Sequence, residues 1–421
     1  MRQMHILLIH QYFLEDNDGG GSRWNEMSRI WVEAGHRVTV LAGTTHYMKG
    51  NLSSLGQKSF VMQTNRNGVK VVRCNVPTST GNGFIARLLA QFSFVFSATW
   101  GGAFYLKGEY DVVLSTSPPL FVGIAGLVIS RIKKAKFILE IRDLWPESAV
   151  ETGVLQSKPL IKAAFRLEKF LYHHAKAVTV LTPAFKTILI HQKNVQSEKI
   201  WLIPNAADFT FSDNLDADFD RVAFRKSLGL DHCFIIIYVG AHGIANHLMQ
   251  LIDAAEILKG TATHFLLIGD GPDKKKLMAQ AKHRELGNVT FINTVAKWDI
   301  FKYILAADAG TSVLKRTEIF KTVYSNKTFD YFACQKPVLL AIDGISRQLI
   351  EDAHAGLYIE PENPGDFAKK VLLYLADPAL AELHGRNGYV YASQFFDRAH
   401  LAQKYLQYIE NMQGTQSQTA P

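Results

Sequence analysis

The chain has 421 residues, more than one ordinary hydrophobic core accommodates, so two domains are the expectation. Hydrophobic residues make up 48% and charged residues 20%, a globular balance that excludes a fibrous or wholly disordered chain. The net charge of +8 favours anionic partners such as nucleotide phosphates or phospholipid headgroups, and no aromatic RNA-binding motif, zinc module or basic zipper accompanies it, which sets nucleic acid aside.

Residues 5–10 (HILLIH) read as a first strand. The opening MRQMHILLIHQYF has no cleavage site, so no secretory signal is expected. A glycine-rich loop over 16–22 follows, then a helix over about 23–34 that Gly35 ends, then a strand over 38–42. This is the grammar of a βαβ unit and implies a parallel sheet. Further strands are predicted over 69–72, 112–115, 136–141, 177–181 and 200–203. The acidic segment 209–220 suits a linker, and the pattern then starts again, with strands over 234–239, 264–268, 289–292, 309–313, 338–341 and 357–359. The fold class is α/β: two doubly wound, Rossmann-like domains over 1–206 and 207–398, facing across a cleft. A helix over 399–412 crosses back to the first domain in this reading, and 413–421 is a disordered tail. Cys74, Cys233 and Cys334 have no metal-like spacing and cannot all pair, which suits a reducing compartment.

The most informative stretch is 313–340, VLKRTEIFKTVYSNKTFDYFACQKPVLL. A strand end runs into a loop carrying Lys315, Arg316, Glu318 and Lys321, and a helix starts with Ser325 as its N-cap. The free N–H groups of a helix start attract phosphate, and Lys327 adds a full charge in the first turn. Asp330, one turn on, is placed to accept hydrogen bonds from sugar hydroxyls. The unit reads as a seat for a nucleotide diphosphate carrying a sugar, against the plainer reading of a crossover helix with a polar start.

Residues 88–106 carry no charge and are flanked by Arg87 and Lys107. The run is long enough to span a bilayer, but strands of one sheet lie on both sides of it. It is therefore either a buried crossover helix or an in-plane helix at a membrane surface, with Phe92, Phe94, Phe96 and Trp100 dipping in. The second apolar run, 118–136, ends in Arg131, Lys133, Lys134 and Lys136, a cluster suited to anionic lipid.

Taken in order, GGGSRWNEMSRIWVEAGHRVTVLAG (19–43), EIRDLWPESAVETGVL (140–155), LIPNAAD (202–208), IYVGAHG (237–243), FLLIGDGP (265–272) and SNKTFDYFACQKPVL (325–339) resemble the family 4 glycosyltransferases of the GT-B fold. RDLWPES narrows the resemblance to the WbuB-like bacterial branch that transfers amino sugars into O-antigen and capsule. The resemblance implies that Gly19, Gly20 and Gly21 form the loop that approaches donor or acceptor. It places Gly240 and His242 after the first strand of the second domain, and Gly269, Asp270 and Gly271 near the nucleotide base. Ser325, Asn326 and Lys327 then take the diphosphate, and Asp330 matches the second acidic residue of the family's E-x7-E motif.

Two departures stand out. Thr322 occupies the place of the first glutamate, leaving Glu318 as the nearest acid, and the family's Arg and Lys after the first strand of the second domain are missing. Lys327 is the first replacement, because a leaving diphosphate needs positive charge. In the first domain Arg142 stands where the family often has His, and Asp143 is placed to contact the sugar or orient the acceptor hydroxyl.

The resemblance implies transfer with retention of configuration, with the UDP- or GDP-linked sugar as substrate and no cofactor, and because no Asp-x-Asp motif stands at a strand end no catalytic metal is expected. It implies an undecaprenyl-diphosphate oligosaccharide as acceptor and a peripheral location on the cytoplasmic face of the inner membrane. Two other classes are weighed against it: a nucleotide-sugar epimerase, and a non-catalytic nucleotide-sugar or lipid-binding partner.

Overall fold

The computed structural model describes residues 2–15, 18, 20–21, 23–46, 50–51, 60–65, 67–76, 84–216 and 219–414. Gly19, residues 217–218 and the tail beyond 414 lie outside the described residues. The chain divides into two compact units: Met1–Asp16, Ser22–Pro204 and Ala399–Pro421 form one, and Asn17–Gly21 with Asn205–Arg398 form the other.

The first unit carries β1 (His5–Ile9), β2 (Arg37–Gly43), β5 (Phe60–Thr64), β6 (Lys70–Cys74), β7 (Val112–Ser117), β8 (Lys136–Ile141), β9 (Ala177–Val180) and β10 (Ile200–Leu202). They lie in the order β10-β9-β8-β7-β1-β2-β6-β5, and a separate two-residue pair is formed by β3 (Thr45–His46) and β4 (Gly50–Asn51). All neighbours in the large sheet are parallel except β5, which runs antiparallel to β6 at the edge. That edge strand escapes a reading built on apolar runs, because FVMQT is only half-buried. The central strands are legible because helices cover both faces of a parallel sheet. On one face Leu7, Ile9, Val72 and Val113 meet Phe94, Val122 and Ile129.

The second unit carries β11 (Phe234–Val239), β12 (Thr263–Ile268), β13 (Val289–Ile292), β14 (Ala309–Val313), β15 (Val338–Ala341) and β16 (Gly356–Tyr358), in the order β13-β12-β11-β14-β15-β16 and parallel throughout. Successive residues alternate between two cores, as strand geometry requires. Ile235, Ile237, Leu266 and Ile268 enter one core, and Ile236, Tyr238, Phe265 and Leu267 the other. Both units are thus Rossmann-like.

The helix Arg398–Gly414 is fixed within the first unit from Ala399 onward. Trp31 Nε1–H donates to the Ala402 carbonyl at 3.0 Å, and the Tyr405 hydroxyl meets Thr179 Oγ1 at 2.8 Å. A buried ion pair anchors the same unit. Arg23 lies 3.0 Å from Glu140 and also donates to the carbonyls of Pro204 at 2.6 Å and Ile203 at 2.9 Å.

Two expectations are corrected here. The proposed linker contains the helix Phe209–Asp216 and leads directly into the helix Arg221–Ser227, with Phe209, Leu215 and Phe219 packed on the second unit's core. Its acidic residues gave it a solvated appearance, although three apolar side chains hold it down. Phe94, expected in a lipid-facing row, is fully buried beside Ala98. The helix Phe84–Trp100 and the π-helical turn Gly101–Tyr105 do expose Leu89, Phe92, Phe96, Trp100 and Phe104. Phe96 and Phe104 are 74% and 65% exposed, well beyond an ordinary scatter of surface apolar residues. Among the described residues no helix is long and apolar enough to cross a membrane.

Candidate functional site

A doubly wound sheet opens a crevice where the chain leaves two adjacent strands in opposite directions. In the second unit that point lies between β11 and β14. These strands pair only through Ile236–Ala309 and Ile237–Gly310, and diverge beyond. Tyr331 fills the fork. Its hydroxyl lies 3.2 Å from the Ile237 carbonyl and 3.1 Å from that of Thr311, and accepts the Val239 N–H at 3.2 Å.

The helix Asn326–Ala333 begins at this crevice. Lys327 Nζ sits 4.8 Å from the centroid of the Tyr238 ring, within cation–π range. A Cβ placed on Gly240 would come 3.2 Å from Lys327 Cε and 3.7 Å from Nζ, so the lysine stem lies along a glycine. Burial lowers the ammonium pKa from 10.5 to about 8, with Asp330 pulling the other way. Lys327 is therefore a mostly charged group at neutral pH in a site that solvates it poorly, ready to gain from an anion.

Ser325 stands at the cap position, but its side chain makes no cap hydrogen bond. Its buried hydroxyl donates to Ser312 Oγ at 3.2 Å, beside a second buried pair, Ser312–Thr328, at 3.2 Å. Its own N–H goes to Ser346 Oγ at 3.3 Å. The N–H groups of Asn326 and Lys327 thus have no partner among the described residues. Asp330 is held by Lys297, whose Nζ lies 2.7 and 2.9 Å from the two carboxylate oxygens. Lys297 comes from the start of another helix, Lys297–Ala306, 33 residues away in the chain, and sequence spacing does not reveal it.

The glycines at the ends of β11 and β12 stack two loops on each other. Gly240, Gly269 and Gly271 have φ of 144°, 146° and 156°. A Cβ on Gly269 would lie 1.9 Å from the Gly240 carbonyl oxygen, and one on Gly271 would lie 2.5 Å from that of His242. Exposed Asp270 turns its carboxylate onto the Gly271 N–H at 2.8 Å. His242 is fully buried, between the rings of Tyr238 and Phe291. Burial, with Lys274 nearby, lowers its pKa to about 4, so at neutral pH it is uncharged and supplies no cation. Glu318 is largely exposed and paired with Lys321 at 2.7 Å, and Arg316 pairs with Glu360 at 3.1 Å.

In the first unit, Arg142 follows β8 and donates its N–H to the Ser117 carbonyl at 2.8 Å. Asp143 accepts the Ser148 hydroxyl at 2.7 Å, and burial raises its pKa. His10, at the end of β1, meets Thr116 Oγ1 at 2.7 Å. Burial, with Arg142 and Arg73 nearby, pulls its pKa well down. It was missed as a candidate because HILLIH reads as one apolar strand. Gly20 and Gly21 lie in an exposed segment that groups with the second unit.

Residues 18–206 match the glycosyl transferase 4-like domain, and residues 220–391 match glycosyl transferases group 1. The chain is 24% identical over 293 residues to the Escherichia coli glycosyl transferase WcaI, named for colanic acid biosynthesis, covering 68% of this chain and 71% of that one. Sucrose-phosphate synthase from Thermosynechococcus elongatus superposes with a TM-score of 0.74 at 18% identity, covering 98% and 100% of the two chains. Anabaena HepE in complex with UDP and glucose superposes with a TM-score of 0.72 at 18% identity, covering 97% and 100%. With both of its halves matched in this order and its fold shared across nearly the whole length, the chain belongs to the glycosyltransferases of the GT-B fold.

Proposed function

We propose that this glycosyltransferase moves a sugar, of the amino-sugar type handled by the WbuB-like branch, from a nucleotide diphosphate to a lipid-linked oligosaccharide, with retention of configuration, during surface-polysaccharide assembly. The name of the Escherichia coli relative supports the polysaccharide setting. The observation that carries the reading is Lys327: a poorly solvated cation at the start of a helix with free N–H groups, beside a glycine, at the switch point of the second sheet.

The chemistry follows from that placement. As the glycosidic bond to the donor breaks, negative charge grows on the diphosphate. The Lys327 ammonium and the N–H groups of Asn326 and Lys327 are already oriented to take it up. Asp330, fixed by Lys297, keeps a carboxylate one turn away for ribose or sugar hydroxyls. In this reading the leaving diphosphate helps to take the acceptor proton on the face it departs from, and the donor is a substrate rather than a resident cofactor. The first unit supplies the acceptor site, with Arg142 and Asp143 as its candidates. The exposed row from Leu89 to Phe104, together with the exposed cations Arg131 and Lys134, seats the protein on anionic membrane where a lipid-linked acceptor resides.

The test is incubation with UDP- and GDP-sugars, with and without a polyprenyl-diphosphate oligosaccharide. Acceptor-dependent release of nucleoside diphosphate is expected. Isomerisation of the donor without acceptor, or no turnover of any donor, would overturn the reading.

A further inference from the structure

The first unit has a cavity of about 650 Å³ at the end of its sheet where the parallel strands begin. His5, Arg37 and Lys70 open the three adjacent parallel strands β1, β2 and β6, with His5 opposite Arg37 and Lys70 opposite Thr39. Met62 of the edge strand forms one wall, and the connector from Tyr105 to Tyr110 closes the other. The volume falls in the range of small-molecule sites.

Its lining is chemically divided. Arg37, Lys70 and Lys107 are exposed at the rim, and among the described residues none of them is in an ion pair. Glu109 is the one carboxylate in the lining, and its carbonyl receives the His5 Nδ1–H at 3.0 Å. The nearby Asp111 is already taken by Arg2 at 3.3 Å and by the His5 N–H at 2.7 Å. At the floor the His5 ring lies tilted against that of Tyr110, centroids 4.0 Å apart, and its Nε2 meets Thr39 Oγ1 at 3.0 Å. Burial lowers the pKa of His5, Arg37 and, less, Lys70 lower it further, and the Glu109 carbonyl and Asp111 oppose them. Exposed Met62 and Tyr105 give an apolar side, and Tyr105 lies on the same turn as the exposed Phe104, whose ring is 4.7 Å from Trp100.

We propose that this cavity is a second ligand site, for a phosphate-bearing amphiphile. The phosphate sits among Arg37, Lys70 and Lys107, and the apolar body lies over Met62 and Tyr105 toward Phe104. Three cations against the single carboxylate of Glu109 around one concave site select an anion, and the adjoining exposed aromatics select one with a hydrocarbon part. Catalysis is not asked of this site. The proposal rests on the membrane reading above only for the source of the ligand, an anionic lipid headgroup.

The experiment uses the full chain and the variant Arg37→Gln/Lys70→Gln/Lys107→Gln, whose altered side chains are all exposed, with melting temperature as the folding control. Calorimetry measures binding of dihexanoyl phosphatidic acid below its micelle concentration and of glycerol 3-phosphate. Flotation measures binding to phosphatidylcholine vesicles with and without phosphatidylglycerol. One lipid phosphate should bind per chain. Glycerol 3-phosphate should bind about tenfold more weakly, for want of two or so buried methylenes. The variant should lose on the order of 10²-fold, as removing three surface-facing cations implies. Equal binding by variant and wild type, or equal binding of glycerol 3-phosphate and lipid phosphate, overturns the site. Vesicle binding that the triple variant retains in full also overturns it while leaving the membrane reading intact. Sugar transfer to a soluble acceptor by the variant should match wild type, so failure of the transferase reading shows separately, as no turnover in either protein.

Discussion

Replacing Lys327 by methionine separates the cost of this cation from its use. The stem remains apolar and of similar length, and only the charge is removed. The fall of the ammonium pKa from 10.5 to about 8 corresponds to about 3 kcal/mol against the charged form. The side chain is half-buried, so solvent screening reduces this to about 1–2 kcal/mol. Lys327→Met should therefore raise the stability of the folded chain by about 1–2 kcal/mol at pH 7, where the lysine is charged in both states. Between pH 8 and 10.5 the folded lysine binds fewer protons than the unfolded one, so wild-type stability rises across that window and the variant loses that rise. Activity should move the other way: loss of a preorganised donor at the leaving group costs about 10²–10³-fold in kcat. Urea unfolding at several pH values and release of nucleoside diphosphate measure the two quantities on the same samples. A variant that is less stable than wild type, or that keeps its full kcat, refutes the argument.

Lys297→Met frees Asp330 and should raise donor KM about tenfold, while Lys297→Arg restores much of the loss; equal effects of both would make the pair a packing element only. Gly269→Ala forces a Cβ to within 1.9 Å of the Gly240 carbonyl and should destabilise by about 3 kcal/mol or more, measured by chemical denaturation. Gly240→Ala meets Lys327 Cε at 3.2 Å and the Tyr238 hydroxyl at 3.5 Å, and its φ of 144° strains any side chain, so it should cost stability by about 1–3 kcal/mol as well as lowering kcat, measured by chemical denaturation and nucleoside diphosphate release on the same samples. Arg23→Met strands buried Glu140 and should cost about 3–5 kcal/mol of stability, of which Arg23→Met with Glu140→Leu recovers most.

The sheets were legible because their strands are buried on both faces and therefore read as apolar runs, and the start of the helix at Asn326 was legible from Ser325. The partners were not. Ser325 has the chemistry of a cap, but a buried hydroxyl at Ser312 competes for it, and that competition exists only once β14 and the helix have packed. Asp330 and Lys297 meet through two helices that no local pattern relates. The segment 209–220 was misread because its aspartates outnumber the three apolar residues that hold it to the core. Phe94 and Phe96 are equally apolar in the sequence, yet two residues along a helix turn through about 200°, which puts one inside and the other outside. The three cations of the second cavity lie on separate strands and a connector, so only the register brings them together.

The central claim is that the start of the helix Asn326–Ala333 holds the leaving diphosphate. A crystal structure with UDP or GDP bound tests it most directly. The account predicts phosphate oxygens within hydrogen-bond distance of Lys327 Nζ and of the N–H groups of Asn326 or Lys327, outside the ends of β11 and β14. Phosphates bound with Lys327 still resting on Tyr238 and out of reach would contradict it.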